Sequence, residues 1–137
     1  MNALRPYAPY LLSLARFVVG LLLLAHGTAK LLGFPASPMA SVPLASLFGI
    51  SGVFELIGGA LLVVGLLTRP TAFILSGMAA VAYFDVHFPK SFFPILNGGE
   101  AAILFCFSLL YLAAAGGGPW SVDHRLKLSD GEEAPGR

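Results

Sequence analysis

The chain has 137 residues, of which 57% are hydrophobic and only 11% charged, and its formal net charge is +1. A soluble domain carries about 25% charged residues, and a chain this short could not bury so much apolar surface in water, so a bilayer is the expected solvent. The net charge by itself says nothing about nucleic acid, but there is no basic arm or aromatic-basic patch, so no nucleic-acid partner is expected. One cysteine, Cys106, excludes an internal disulfide and a CxxC redox pair.

In chain order, the first apolar run extends from Leu11 to Leu32, long enough to cross a bilayer, which takes about 20 residues. It is therefore read as a retained helix and not as a cleaved signal. Lys30 in its last turn, Gly33 past its end and Pro35 beyond form its stop signal. Arg16, Leu23 and Lys30 recur at heptad spacing, with Gly20, His26 and Gly27 on or beside that face, while Val18, Leu21 and Leu22 suit lipid. A Pro/Ser/Ala-rich loop, 35–43, leads to a second helix over 44–67. Thr68-Arg69-Pro70 then reads as a tight turn, with Pro70 at the first position of a third helix over 70–88. The segment 88–96, with Pro89, Pro94 and Phe92-Phe93, suits an aromatic interfacial loop. A fourth helix over 97–115 is broken by Gly116-Gly117-Gly118-Pro119, with Trp120 at the interface and a charged tail over 121–137.

These elements predict an all-α fold: an antiparallel four-helix integral membrane bundle forming one domain over 1–137, with both termini on one side. That side carries Arg5, Arg16, Arg69, Arg125, Lys127 and Arg137, against Lys30 and Lys90 on the other. The positive-inside rule then places both termini of this multi-pass chain in the cytoplasm.

The polar residues within the helices are the candidate site. Glu55 stands in the otherwise uncharged run GISGVFELIGGALLVVGLL, and its same-face neighbours Ser51, Gly52, Gly58 and Gly59 are all small. A face of that kind allows close helix approach and turns the carboxyl inward, away from lipid. Its partner is to be sought among His26, Lys30 and Arg16, and depth arithmetic slightly favours His26. An ion pair bracing two helices and a functional carboxyl are equally consistent with this placement. Glu100, three residues after Asn97, fits a capping box as well as chemistry. Lys30 and Arg16 near helix ends can snorkel to headgroups, His26 can be a hydrogen-bonded interior histidine, and Asp85 and His87 belong at a wet helix end. No metal site is expected: Glu-x-x-His pairs are absent, and His26, His87 and His124 lack ligand spacing, with His124 on the opposite side of the membrane.

The runs ARFVVGLLLLAHGTAKLLGF, ELIGGALLVVGLLTRPTAF, NGGEAAILF and GGGPWSVD resemble the DoxX family of small bacterial membrane proteins. The resemblance extends from about Ala15 to Asp123, and its specific parts are Arg16 with Gly20, the run His26–Phe34, Glu55 with Gly58-Gly59 and LTRP, and Glu100. It implies a four-helix membrane protein. The family takes its name from a subunit of a thiosulfate:quinone oxidoreductase, and some relatives are linked to membrane redox or thiol-stress complexes. The lone Cys106 cannot run a dithiol cycle, so a partner must bring any redox centre.

The expected function is accordingly a subunit of a redox-linked membrane complex, in which Arg16, His26, Lys30, Glu55 and Glu100 line an intramembrane pocket for a quinone or a small sulfur compound, with Asp85 and His87 secondary. An interior histidine and carboxyl would offer hydrogen bonds and a proton route to such a ligand. The partners are the lipid bilayer and other membrane or peripheral redox subunits, or a second copy of the chain. Two alternatives stand beside this reading: a non-enzymatic scaffold or assembly factor, and a small proton-coupled carrier using Glu55 as the coupling group.

Overall fold

The computed structural model describes residues 2–40 and 42–127. The tail beyond 127, including Arg137, lies outside the described residues. A 3-10 turn, Asn2–Tyr7, leads into α1, Ala8–Leu32, followed by α2, Leu47–Val64, and α3, Thr68–Ala82. After α3 come a π-helical turn, Tyr83–His87, and a 3-10 turn, Phe88–Lys90. The chain continues with α4, Pro94–Asn97, α5, Glu100–Ala115, and α6, Val122–Leu126. No strand occurs among the described residues.

Among the described residues, three helical stretches are long and apolar enough to cross a membrane: Ala3–Leu32, Leu47–Val64 and Thr68–Lys90. The apolar helix α5 is shorter, at 16 residues, or about 24 Å of rise. Large apolar side chains cover the outside, among them Phe17, Leu21, Ile57, Phe73, Leu104 and Phe107. The polar residues Ser13, Arg16, Thr68, Ser121 and Asp123 are buried. Apolar outside and polar inside is the arrangement expected of helices in lipid.

The most extensive interfaces are α1 with α2 and α3 with α5, joined by contacts between α2 and α3. Glycines set the first of these. A Cβ on Gly27 would run into the backbone of Leu56, and one on Gly20 would lie 2.8 Å from the Val63 nitrogen. The two backbones therefore touch, with the small residues at the crossing as in other membrane helix pairs. The buried apolar cluster of Leu23, Leu62, Ala72, Leu75, Leu109 and Leu112 then ties both helix pairs together.

Several boundaries differ from those expected, and each difference has a local cause. Helix α2 starts at Leu47 instead of 44, because the Ser46 hydroxyl accepts from the Gly49 amide at 3.0 Å and caps it. It stops at Val64 instead of 67, because Gly65 is left-handed, with φ 73°. Helix α3 starts at Thr68, ahead of Pro70, because the Asp123 carboxylate accepts from the Leu67 and Thr68 amides at 2.7 and 2.8 Å. A side chain some 55 positions downstream thus begins this helix.

The capping box expected at Asn97 and Glu100 does not form. Asn97 ends α4, and its Oδ1 accepts from the Gly99 amide at 2.7 Å while its Nδ2 donates to the Ser91 carbonyl at 2.8 Å. Left-handed Gly98 separates the two helices, and Glu100 opens α5 with Gly99 at the N-cap.

The Gly116–Pro119 break closes one end of the molecule around Arg16, which is 2% exposed. Its Nε donates to the Gly117 carbonyl at 2.9 Å, its Nη2 to Trp120 at 2.7 Å, and its Nη1 to Val63 at 2.8 Å and to Leu62. One guanidinium thereby satisfies orphan carbonyls at the end of α2 and in the loop after α5. Ser13 supports the same loop, accepting from the Trp120 amide at 3.1 Å. Arg69 closes the end of α5 by donating to Ala113 at 3.3 Å and to Ala114. Leaving a buried polar group unpaired costs about 1–3 kcal/mol. Arg16→Met is therefore expected to destabilise the protein by about 3 kcal/mol, read as a lowered melting temperature in detergent, with Arg5→Met as a near-neutral exposed control.

Candidate functional site

At the end of the molecule opposite Arg16, helices α1 and α2 are joined through charge. Lys30 comes from the last turn of α1 and Glu55 from mid-α2, and each is 7% exposed. The Lys30 Nζ donates to Glu55 Oε1 at 2.9 Å and to Ser51 Oγ at 2.9 Å, and lies 2.9 Å from Glu55 Oε2. It also sits 5.0 Å from the centre of the Phe48 ring, within reach of a cation–π attraction. Phe48, Ser51 and Glu55 fall three, four and seven residues apart, so one face of α2 supplies all three partners.

This pair corrects two expectations. The partner of Glu55 is Lys30 and not His26, and the Lys30 ammonium turns inward instead of snorkelling to headgroups. The reason is space: Gly52 carries no side chain between the helices, and a Cβ there would lie 3.2 Å from the Lys30 Cβ. The lysine stem lies against that gap. Its ammonium then reaches the carboxylate one turn along.

The pair forms part of the wall of a cavity of about 370 Å³. The wall is shared by α1 (Leu23, His26, Lys30), α2 (Leu47, Phe48, Ser51, Glu55), α3 and its π turn (Met78, Ala82, Val86, His87) and α5 (Ala101, Ala102, Phe105), with Met39 from the loop after α1. Most of this wall is apolar, and its polar groups gather on the faces of α1, α2 and the π turn. Such a cavity, with a few convergent polar groups, has the character of a small-molecule site.

Each wall histidine is held by the backbone carbonyl of another residue. His26 lies with Nδ1 at 2.8 Å from the Leu22 carbonyl and its ring edge-on to Phe105, centroids 5.8 Å apart. His87 lies with Nδ1 at 3.1 Å from the Asn97 carbonyl and stacks on Tyr83 at 6.4 Å. The π turn at 83–87, in which the Phe88 amide bonds to the Tyr83 carbonyl, adds one residue to the register and brings His87 to the wall. Single π turns of this kind are frequent at functional sites.

The expected site residues thus separate. His26, Lys30, Glu55 and His87 share one cavity. Arg16 belongs to the lock at the other end, and Glu100 and Asp85 are exposed and off the wall. Ser51, Phe48 and Phe105 were not expected as site residues; a signal for the first two lay in their spacing from Glu55. Among the described residues, no group of three His, Cys, Asp or Glu comes together as metal ligands would.

A helical protein with an apolar exterior, three stretches able to cross a membrane and an internal charged pair beside a cavity belongs to the class of multi-pass membrane proteins. Within that class, the DoxX family profile matches residues 11–88, and the chain belongs to the DoxX family. It is 42% identical over 131 residues to an uncharacterized protein of Haemophilus influenzae, covering 92% of this chain and 98% of that one. It is 28% identical over 127 residues to an uncharacterized membrane protein of Mycobacterium tuberculosis, covering 81% of this chain and 78% of that one. No solved structure matches it.

Removing one member of a buried ion pair costs roughly 3–5 kcal/mol, whereas replacing both can be close to neutral. Glu55→Gln and Lys30→Met are each expected to lower the melting temperature in detergent. The double variant should recover most of the loss, and the same cycle with His26→Gln in place of Lys30→Met should show no recovery.

Proposed function

We propose that this protein is a subunit of a redox-linked membrane complex whose interhelical cavity holds an amphipathic small molecule of quinone type. The observation that carries the reading is the convergence of Lys30, Glu55, His26 and His87, from α1, α2 and the π turn, on one largely apolar cavity. A lipid-soluble ligand needs apolar walls for its body and a few fixed polar groups for its head, and this cavity supplies both. The redox element of the proposal comes from the family resemblance. Cys106 is the single cysteine, so electrons would pass to or from the ligand through a redox centre on a partner subunit.

The same proposal takes α5 as a fourth crossing and sets both termini in the cytoplasm of a bacterium, with the chain in its inner membrane. Ser13 and Trp120 are hydrogen-bonded, so the start of α1 and the segment after α5 lie at one end of the molecule. Arg16, Arg69 and Arg125 belong to that end, which supports a cytoplasmic position under the positive-inside rule.

Two experiments test these statements. In a Cys106→Ala background, Lys90→Cys should react with an impermeant thiol reagent from outside intact cells and Lys127→Cys should not; the opposite pattern overturns the orientation. Protein purified gently from quinone-containing membranes should retain a lipid-soluble compound detectable by absorbance and mass spectrometry. Ala102→Phe, which fills the cavity from α5, should cut that retention at least about fivefold with little change in melting temperature. Absence of any retained compound in the unaltered protein would overturn the ligand reading.

A further inference from the structure

On the wall of the cavity, the side-chain donors are committed and the acceptors are not. The Lys30 ammonium has three hydrogens; it donates to Ser51 Oγ and Glu55 Oε1, and Glu55 Oε2 stands at 2.9 Å to face the third. The Ser51 hydroxyl, which accepts from Lys30, spends its own hydrogen on the Phe48 carbonyl at 2.8 Å. The Gly98 amide donates to the Pro94 carbonyl at 3.1 Å.

The histidines present the opposite character. A carbonyl only accepts, so the contacts with Leu22 and Asn97 place a proton on Nδ1 of both His26 and His87. In the neutral ring that tautomer leaves Nε2 as a lone-pair acceptor.

We propose that the cavity recognises its occupant through hydrogens the occupant donates: an amphipathic molecule with an apolar body and a phenolic or alcoholic head. Such a head offers hydrogens to His26 and His87. A ketone or quinone oxygen carries only lone pairs and would set them against the lone pairs of Nε2. The inference rests on the pocket reading above and narrows it to the reduced, hydroxyl-bearing state of a quinone-type ligand.

The test uses the purified full chain in detergent, with a decyl-tailed benzoquinone and its hydroquinone, the latter kept reduced under argon, as probes. Ligand retained through gel filtration is measured across a concentration series. The hydroquinone should be held about tenfold more tightly than the quinone, which is about 1.4 kcal/mol. His26→Phe, which keeps a ring against Phe105, and His87→Phe should each bring the ratio close to one. Should His87→Phe fail to fold, His26→Phe decides alone. Equal retention of the two forms, preference for the quinone, or a preference that persists in the folded histidine variants would overturn this inference while leaving the pocket itself intact. Retention of neither form would overturn the pocket reading as well.

Discussion

A charge carried by a helix in lipid has to be satisfied by the protein, because hydrocarbon supplies no hydrogen bonds and little dielectric screening. In this chain three charged side chains on the long helices are withdrawn from lipid, and the way each is satisfied shapes the molecule. Arg16 is surrounded by backbone carbonyls from the end of α2 and the loop after α5. Lys30 and Glu55 satisfy one another, with Ser51 and the Phe48 ring completing the lysine's surroundings. The first arrangement requires the Gly-rich loop to fold back over α1. The second requires α1 and α2 to touch along glycines, so that a short reach suffices.

The two ends of the molecule are consequently unlike. Around Arg16 the packing is dense: a Cβ on Gly117 would come within 3.0 Å of the Ser121 and Thr68 side chains, and one on Gly65 within 2.9 Å of the Arg16 guanidinium carbon. The Asp123 carboxylate adds a cap for α3 from the same segment. A guanidinium suits this work because its planar fork can serve several carbonyls at once. At the other end the ion pair braces only α1 and α2, and the space bounded by α3, its π turn and α5 is left open as the cavity. A buried ion pair is weak evidence for stability in itself. Here it fixes the facing of the two helices beside that cavity.

Much of this was legible in the sequence. The apolar excess and helix-length runs implied an all-helical membrane protein, and the motifs of the long helices carried the family resemblance. Glu55 with its strip of small neighbours was readable as inward-facing, since nothing mid-helix could cap it and lipid would penalise it. The stop at Gly33 followed from local rules as well. Less legible were the ends of α2, where Ser46 and Gly65 are small signals set among many residues of the same kind.

The sequence by itself determined the class of the protein, its helical runs and the inward face of Glu55, because hydrophobicity and helical period are properties of neighbouring residues. Only the tertiary structure decided that Lys30, and not His26, answers Glu55. That choice depends on how α1 is rotated and where it crosses α2, and the closeness at Gly27 and Gly52 sets both. It also decided that Asp123 starts α3 and that Asn97 holds a turn instead of capping a helix, since the competing partners lie far along the chain or across a loop. The place of His87 on the cavity wall rests on one residue of π-helical slip, which local spacing counted at 3.6 residues per turn does not contain.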